Sequence, residues 1–216
     1  MFLFLACVHA TAPLPEPVAE VPELAPAPPD EAAAVLIMEA MAVAYGNGDA
    51  VEATRLGRDM TATHPTSQYA PLAQEWLGLL ATFGQPAPEL HVAEWVRGAP
   101  PSGDKPVLLV FFEAWCPHCQ AEFSLFQEVH ERYPGISVVG VTKMSRDTTP
   151  EQLAAFVDER HATFAIARED EGSLTEAFGI EGIPALVIVR EGRIAWRGHP
   201  ALLTTTLLDR MSVAPG

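Results

Sequence analysis

The sequence predicts an α/β domain whose mixed central sheet carries helices on both faces, preceded by a small all-α module. Between residues 107 and 211, apolar runs of strand length alternate with segments of helical character. Residues 31–84 instead carry Ala, Leu and Met at helical spacing, interrupted by Gly and Pro. The chain is 49% hydrophobic and 19% charged, which is typical of a globular protein that buries a real core.

Charge and cysteine content exclude several classes of protein. The 28 acidic residues outnumber the 13 basic ones and give a net charge of −15, which argues against nucleic acid and anionic membrane surfaces as partners. No run of about 18 apolar residues is present, so the sequence predicts no membrane-spanning helix. Three cysteines are too few for a scaffold held together by disulfides. We therefore expect a globular monomer.

The first 30 residues predict a leader and a tether. Residues 1–10 open on an apolar stretch that ends at Cys7, which resembles the end of a bacterial lipoprotein signal with Cys7 as the acylated residue. A secretory signal cut after Ala10 is a second interpretation, and an apolar N-terminus without an export role is a third. Residues 11–30 hold seven prolines and predict an extended, disordered tether. We expect a location in the cell envelope, periplasmic and anchored to lipid through Cys7.

Residues 31–84 predict three helices. The first covers Glu31–Tyr45, the second is capped by Asp49, and the third follows a capping Ser67. The third helix repeats apolar residues on one face, namely Leu72, Trp76, Leu79, Leu80 and Phe83. The spacing of Gly48, Asp49, Ala53 and Pro65 is similar to that of a tetratricopeptide unit, although only one unit fits. The segment is either a small module that binds a partner or an extension packed on the main domain.

Residues 85–216 predict the α/β domain itself. Strands are predicted at residues 107–112, 136–141, 162–167, 183–190 and 193–197, and helices at residues 116–133, 150–160, 172–178 and 201–211. The last two strands are joined at Glu191-Gly192, a hairpin signal.

A pair of cysteines lies between the buried strand and the first helix of this domain. Cys116 falls at the helix N-terminus, where unpaired backbone N–H groups and the positive end of the helix dipole stabilise a thiolate. Pro117 suits the first helical position, and His118 adds an imidazole that favours the thiolate when protonated. Cys119 comes one turn later, within reach of the Cys116 sulfur. The spacing therefore predicts thiol–disulfide exchange.

These residues resemble the thioredoxin superfamily from about Glu89 to Met211. The resemblance is carried by Trp115-Cys116-Pro117-His118-Cys119, by Gly182-Ile183-Pro184 and by Gly192. It implies a thioredoxin-like fold, a cis Pro184 that faces the cysteine pair, and an Ile183 backbone that pairs with a bound peptide. It also implies that Trp115 shields the site and offers a substrate an apolar contact. The segment Gln85–Leu90 is similar to the TlpA/ResA-like extracytoplasmic branch, whereas Pro117-His118 is the dipeptide of the DsbA oxidant.

The sequence departs from the thioredoxin pattern at two places. Val110 stands where thioredoxin has a buried acid, and Glu113 could substitute as the proton acceptor of Cys119 or could be a solvated loop carboxylate. The acidic stretch Glu169-Asp170-Glu171 is the second departure, and we expect it to be a solvated loop. His199 is expected to be a surface residue near the substrate groove.

Other uses of the cysteine pair are disfavoured. Zinc requires four ligands, and the sequence has no second CxxC and no HxxxH. A purely structural disulfide across so short a loop would constrain little chain entropy. Nothing resembles the Pro/Thr-rich loop that carries the single peroxidatic cysteine of a related peroxidase.

The sequence thus predicts a thiol–disulfide oxidoreductase of the cell envelope, with Cys116 and Cys119 as its redox pair. We expect it to act without a cofactor on protein thiols and disulfides and to exchange electrons with another redox protein. The alternative is an envelope lipoprotein scaffold whose helical module binds a partner, with the redox site secondary.

Overall fold

The computed structural model describes residues 29–101, 104–170 and 172–213. The leader at residues 1–10, Cys7 and nearly all of the predicted tether lie outside the described residues. The last two residues assigned to the tether, Pro29 and Asp30, belong instead to the first helix. Proline is favoured at the start of a helix because its missing N–H would lack a partner there in any case.

In the part of the chain that the structure describes, three helices precede the sheet. They are α1 (Pro29–Gly46), α2 (Ala50–Thr63) and α3 (Ala70–Leu80). Asp49 caps α2, since its carboxylate accepts a hydrogen bond from the Glu52 backbone N–H at 3.0 Å. Within the described ranges, no helix has both the length and the apolar character needed to cross a bilayer.

A single six-stranded mixed sheet follows. Its strands are β1 (Glu94–Arg97), β2 (Val107–Phe111), β3 (Ser137–Thr142), β4 (Ala165–Arg168), β5 (Ala185–Arg190) and β6 (Arg193–Gly198). They lie in the order β1-β4-β3-β2-β5-β6. The pairs β2–β3 and β3–β4 are parallel, and the other three pairs, β1–β4, β2–β5 and β5–β6, are antiparallel. The sequence predicted every strand except β1, a short edge strand without a fully buried residue.

Four α-helices and one 3₁₀ turn complete the domain. They are α4 (Pro117–Arg132), α5 (Pro150–Glu159), α6 (Ser173–Ala177), the 3₁₀ turn at Pro200–Leu202, and α7 (Thr205–Ser212). The closing helix was predicted to start at Ala201, and this was wrong. Thr204 caps α7 because its hydroxyl accepts a hydrogen bond from the Leu207 N–H at 3.1 Å, so the helix begins only after it.

The N-terminal helices pack against the sheet through Tyr45 at the end of α1. The Tyr45 hydroxyl donates to the Arg197 carbonyl at 2.7 Å, and the Trp196 indole N–H donates to the Tyr45 carbonyl at 2.9 Å. Both aromatic side chains are completely buried, and their ring centroids lie 6.2 Å apart. Burial also raises the pKa of Tyr45. The helices are therefore an extension packed on the main domain and share its hydrophobic core.

The segment that joins α3 to the domain runs along the outer edge of β6. The Gly84 N–H donates to the Ile194 carbonyl at 2.8 Å, and the Ile194 N–H donates to the Gln85 carbonyl at 3.0 Å. The Ala87 N–H then donates to the Gly192 carbonyl at 2.8 Å. These bonds fix the direction in which the chain leaves the helices.

Candidate active site

Cys116 lies at the N-cap of α4, immediately after the loop that follows β2. Strand β2 is buried along almost its whole length, so its carboxyl end fixes the start of that loop inside the protein. Pro117 occupies the first position of α4, and the Cys116 carbonyl accepts the Gln120 N–H at 3.0 Å. The Cys116 sulfur therefore stands at the helix end that favours negative charge.

Cys116 faces the loop that leads into β5. Its sulfur lies 4.0 Å from the Ile183 carbonyl oxygen, and the Ile183–Pro184 peptide bond is cis. Ile183 is half-buried and Pro184 is buried, so the loop forms a wall beside the sulfur. Cys116 is itself 5% exposed. The protein therefore covers nearly all of Cys116, with the loop before β5 in contact with its sulfur.

Cys119 is deeper and electrostatically different. It is completely buried one turn into α4, and both cysteines are free thiols in the structure. Burial is the main reason that the pKa of Cys119 rises to about 12, with further increases from the neighbouring Cys116 sulfur and the Glu113 charge. A hydrogen bond with the Glu113 backbone acts in the opposite direction. Cys119 is therefore a thiol at neutral pH.

Glu113 is buried beneath the loop after β3. Its carboxylate accepts the Lys143 N–H at 2.9 Å through Oε1 and the Ser145 N–H at 3.0 Å through Oε2. The residue is only 2% exposed, so the expectation of a solvated loop carboxylate is wrong. The physical reason is that two backbone donors replace the water that a buried carboxylate would otherwise need.

Trp115 also contacts the loop after β3. Its indole N–H donates to the Ser145 hydroxyl at 3.1 Å, and the Arg146 guanidinium lies 3.5 Å from the centre of its ring. Three non-glycine residues of this loop have positive φ, namely Met144 at 57°, Arg146 at 54° and Asp147 at 58°. Such a backbone persists where its surroundings hold it. Sequence reasoning missed Ser145 and Arg146, because a polar loop 30 residues from Trp115 gives no signal of contact.

The remaining predicted residues lie at the surface of the site. Pro117 and His118 are exposed on the first turn of α4. His199 is also exposed, and its Nδ1 accepts the Ala201 N–H at 3.2 Å. Cys116, Cys119 and Glu113 are thus buried, whereas Pro117 and His118 lie at the surface of the site.

Glu169 differs from its prediction. It is 1% exposed and accepts hydrogen bonds from both the N–H, at 2.7 Å, and the hydroxyl of Thr175. The expected solvated loop is therefore wrong for Glu169, whose carboxylate anchors α6 on the end of β4, while Asp170 is exposed. Across the described parts of the chain, no cluster of three or more His, Cys, Asp or Glu side chains could hold a metal ion.

A sequence model of the AhpC/TSA family matches residues 84–197, more than half of the 216-residue chain. The chain belongs to the AhpC/TSA family. The matched segment begins at the β6 edge, includes the cysteine pair and the Pro184 loop, and ends in β6. The N-terminal helices precede the part that this AhpC/TSA match covers.

Curated relatives of this AhpC/TSA member include bacterial redox proteins. The chain is 28% identical over 130 residues to the sporulation thiol-disulfide oxidoreductase A of Bacillus subtilis, covering 53% of this chain and 78% of that protein. It is 28% identical over 88 residues to the thiol-disulfide oxidoreductase ResA of Oceanobacillus iheyensis, covering 40% and 44%. It is also 28% identical over 102 residues to the soluble secreted antigen MPT53 of Mycobacterium tuberculosis, covering 45% and 57%.

A solved structure gives the same fold for this family member. The thioredoxin-like superfamily protein SPOA0173 superposes with a TM-score of 0.53 at 22% identity, covering 61% of this chain and 99% of that one. The predicted thioredoxin-like fold is confirmed. Together with the relatives, it identifies the chain as a thiol–disulfide oxidoreductase and does not favour the scaffold alternative.

Proposed function

We propose that this oxidoreductase exchanges disulfides with protein substrates in the cell envelope, with Cys116 as the nucleophile and Cys119 as the resolving thiol. The observation that carries this assignment is the asymmetry of the pair. Cys116 caps α4 beside the Pro184 loop, whereas burial raises the pKa of Cys119 to about 12. The first attack therefore belongs to Cys116, which lies at the helix N-terminus, and not to Cys119.

In the reducing direction the exchange has two steps. The Cys116 thiolate attacks one sulfur of the substrate disulfide, forms a mixed disulfide and releases the other substrate sulfur as a thiolate. Cys119 then loses its proton and attacks the Cys116 sulfur, which joins the two cysteines and frees the second substrate thiol. Two electrons have passed to the substrate, and another redox protein must return them. The oxidising direction is the reverse.

Glu113 is proposed as the proton acceptor of Cys119. Its charge contributes to the raised pKa of that thiol, which indicates that the two groups interact electrostatically. The two backbone donors of the Lys143–Ser145 segment hold the carboxylate in place without a water shell. A carboxylate held in this way can accept one proton while Cys119 attacks, and return it when the site is reduced again.

The substrate backbone is proposed to lie along the loop before β5. Within the described residues, the Gly182 backbone has no hydrogen-bond partner, and the Ile183 carbonyl has only the Cys116 thiol. An extended peptide can therefore pair with this segment and place its own sulfur next to Cys116. Pro184 would support that peptide from below, Trp115 would contact its side chains, and Pro117-His118 would tune the thiolate.

An envelope location is supported by the apolar leader and by a relative whose name describes a soluble secreted antigen. Acylation of Cys7 followed by a proline-rich tether would hold the domain away from a membrane surface. We expect the full-length protein to fractionate with membranes and Cys7→Ser to release it. Recovery of the unaltered protein in the cytosolic fraction would refute both the anchor and the envelope location.

Trapping of mixed disulfides tests the central proposal. The full chain with Cys119→Ser should accumulate covalent adducts with substrate proteins through Cys116, because the resolving step is blocked. The double variant Cys116→Ser/Cys119→Ser is the matched control, and both proteins also carry Cys7→Ser. The control then has no thiol and should capture none. Purified full-length protein should also catalyse insulin reduction, and Cys116→Ser should abolish it. Equal capture by both variants, or insulin reduction that survives Cys116→Ser, would contradict the proposed roles.

A further inference from the structure

A groove of about 450 Å³ begins at the Pro184 loop and continues away from Cys116. One wall is the segment from Gly179 to Ile183, and the floor includes Leu186 and Arg197 of the sheet. The opposite wall comes from helix α3, through Glu75, Gly78 and Leu79. The N-terminal helices therefore contribute one side of a groove that starts one residue from the reactive sulfur.

Carboxylates dominate the exposed charge of this groove. Glu75 on one wall and Glu181 on the other are both exposed, and within the described ranges neither forms an ion pair or a hydrogen bond. Arg197 is only 8% exposed, and its guanidinium donates to the Gly179 carbonyl at 3.0 Å. His199 is the remaining titratable side chain of the lining. Glu181 also interacts electrostatically with Arg197, without forming an ion pair in the described residues. An incoming chain thus meets two exposed carboxylates and a buried cation whose guanidinium is already hydrogen-bonded.

The groove also has room for side chains. A Cβ atom added at Gly78, Gly179 or Gly182 would have no neighbour within 4 Å. At these three positions the lining is backbone without a side chain, which leaves space for the long side chain of a lysine or arginine. Such a side chain can lie along Leu79 and Ile180 with its charged end beside the carboxylates.

We propose that this groove binds a basic segment of the substrate polypeptide beside its reacting cysteine, with Glu75 and Glu181 as the residues that select it. The inference rests on the proposed function and adds a substrate class to it. The chain's net charge of −15 favours the same partner, because a negative protein attracts cationic segments before contact. The groove is continuous with the Ile183–Pro184 loop, so one extended chain would occupy both.

The test uses three peptides, each with one cysteine. They differ only in the two residues on each side of that cysteine, which are all Lys, all Ser or all Glu. That cysteine is presented as a mixed disulfide with thionitrobenzoate. Cys116 attacks the peptide sulfur, the new disulfide joins Cys116 to the peptide, and thionitrobenzoate leaves with the electron pair of the broken bond. The full chain carries Cys7→Ser, so that Cys116 and Cys119 are its only thiols. The absorbance of released thionitrobenzoate gives the second-order rate constant.

We expect the Lys peptide to react up to about 5-fold faster than the Glu peptide at low salt, since an exposed charge pair changes an equilibrium by up to about 5-fold. The preference should fall towards unity at about 1 M salt, where the screening length is about 3 Å. Glu75→Lys and Glu181→Lys should each lower the Lys-to-Glu ratio, and the double variant should invert it. Glu39→Lys, an equal change of net charge on α1 outside the groove, is the matched control and should keep the wild-type ratio.

Steric filling gives a second and independent measurement. Gly78→Leu should lower the rate with the Lys peptide relative to the rate with uncharged dithiodipyridine, whereas Gly78→Ala should change that quotient by less than about 2-fold. The inference would be overturned if the wild type did not prefer the Lys peptide, or if Glu39→Lys lowered the Lys-to-Glu ratio as much as Glu75→Lys. It would also be overturned if Gly78→Leu left the ratio of the Lys-peptide rate to the dithiodipyridine rate unchanged. If the wild-type thiols react with dithiodipyridine but the trapping experiment fails, the proposed function has failed instead.

Discussion

Stability above pH 9 reports directly on the burial of Cys119. The ordinary pKa of the thiol is 9.0, and its pKa in the folded chain is about 12. Between these values the unfolded chain releases the proton and the folded chain keeps it. Deprotonation of Cys119 therefore stabilises the unfolded state relative to the folded state. The free energy of unfolding falls by about 1.4 kcal/mol per pH unit. Stability is fully present below pH 9, and from pH 9 to 11 Cys119 alone should remove roughly 3 kcal/mol.

The assay is urea unfolding of the reduced full chain at several pH values from 8 to 11. The slope of unfolding free energy against pH is compared between the protein with Cys7→Ser and the same protein with Cys119→Ala. Distant groups that lose protons in this range, including buried Tyr45, are present in both and cancel. Because Cys116 interacts with Cys119, the same comparison is repeated with Cys116→Ser in both proteins. The slope should be steeper with Cys119 present by about 1.4 kcal/mol per unit.

Equal slopes in the two proteins would refute the reasoning, because they would mean that Cys119 ionises as easily in the folded chain as in the unfolded one. The asymmetry that assigns the first attack to Cys116 would then disappear. The oxidised protein is a further control. Neither of its two active-site cysteines has a proton to lose, so its slope should lack the Cys119 contribution.

Three other predictions follow from the site and from its support. Glu113→Gln should prolong the mixed disulfide at Cys116 by about 10²-fold in rapid-quench experiments, since the proton acceptor of the resolving step is gone; an unchanged lifetime would exclude that role. Tyr45→Phe should cost about 1–3 kcal/mol in urea unfolding, because the buried Arg197 carbonyl loses its donor, and the transition should stay single; separate transitions for helices and sheet would contradict the shared core. The wild-type reduction potential should lie well above thioredoxin's value of about −270 mV in a glutathione titration, and replacing Pro117-His118 by Gly-Pro should lower it.

The α/β domain could be predicted from sequence because its strongest signals are local. The buried strand β2 is a continuous apolar run, and the start of α4 is marked by the adjacent residues Cys116 and Pro117. Strand β1 was missed because its four residues are exposed or half-buried and pair only at the sheet edge. Apolar periodicity is weak wherever a strand has so little to bury.

The environment of Glu113 could not be predicted from sequence. A carboxylate three residues before Cys116 is compatible with either water or the protein interior. The choice between them depends on two backbone donors that lie 30 and 32 residues further along the chain. Long-range contacts of this kind have no periodic signature.

The sequence also did not decide whether the N-terminal helices form a separate module or pack on the main domain, because the answer depends on long-range contacts. Their amphipathic pattern shows that one face is buried but does not show against what. The deciding contact joins Tyr45 to Trp196, which are 151 residues apart. The Tyr45 side chain packs on the sheet and contacts the rings of both Trp76 and Trp196.

The pairing of residues 84–87 with β6 has a consequence for self-association. An edge strand with free N–H and C=O groups is a template on which another molecule can add a strand, and repeated addition leads to aggregation. Gly84, Gln85 and Ala87 occupy these groups along part of β6, with Pro86 opposite Arg193. Proline also suits such a place because it has no N–H to offer a further strand. The connecting segment thus blunts one edge of the sheet and protects that part of β6 from pairing with another molecule.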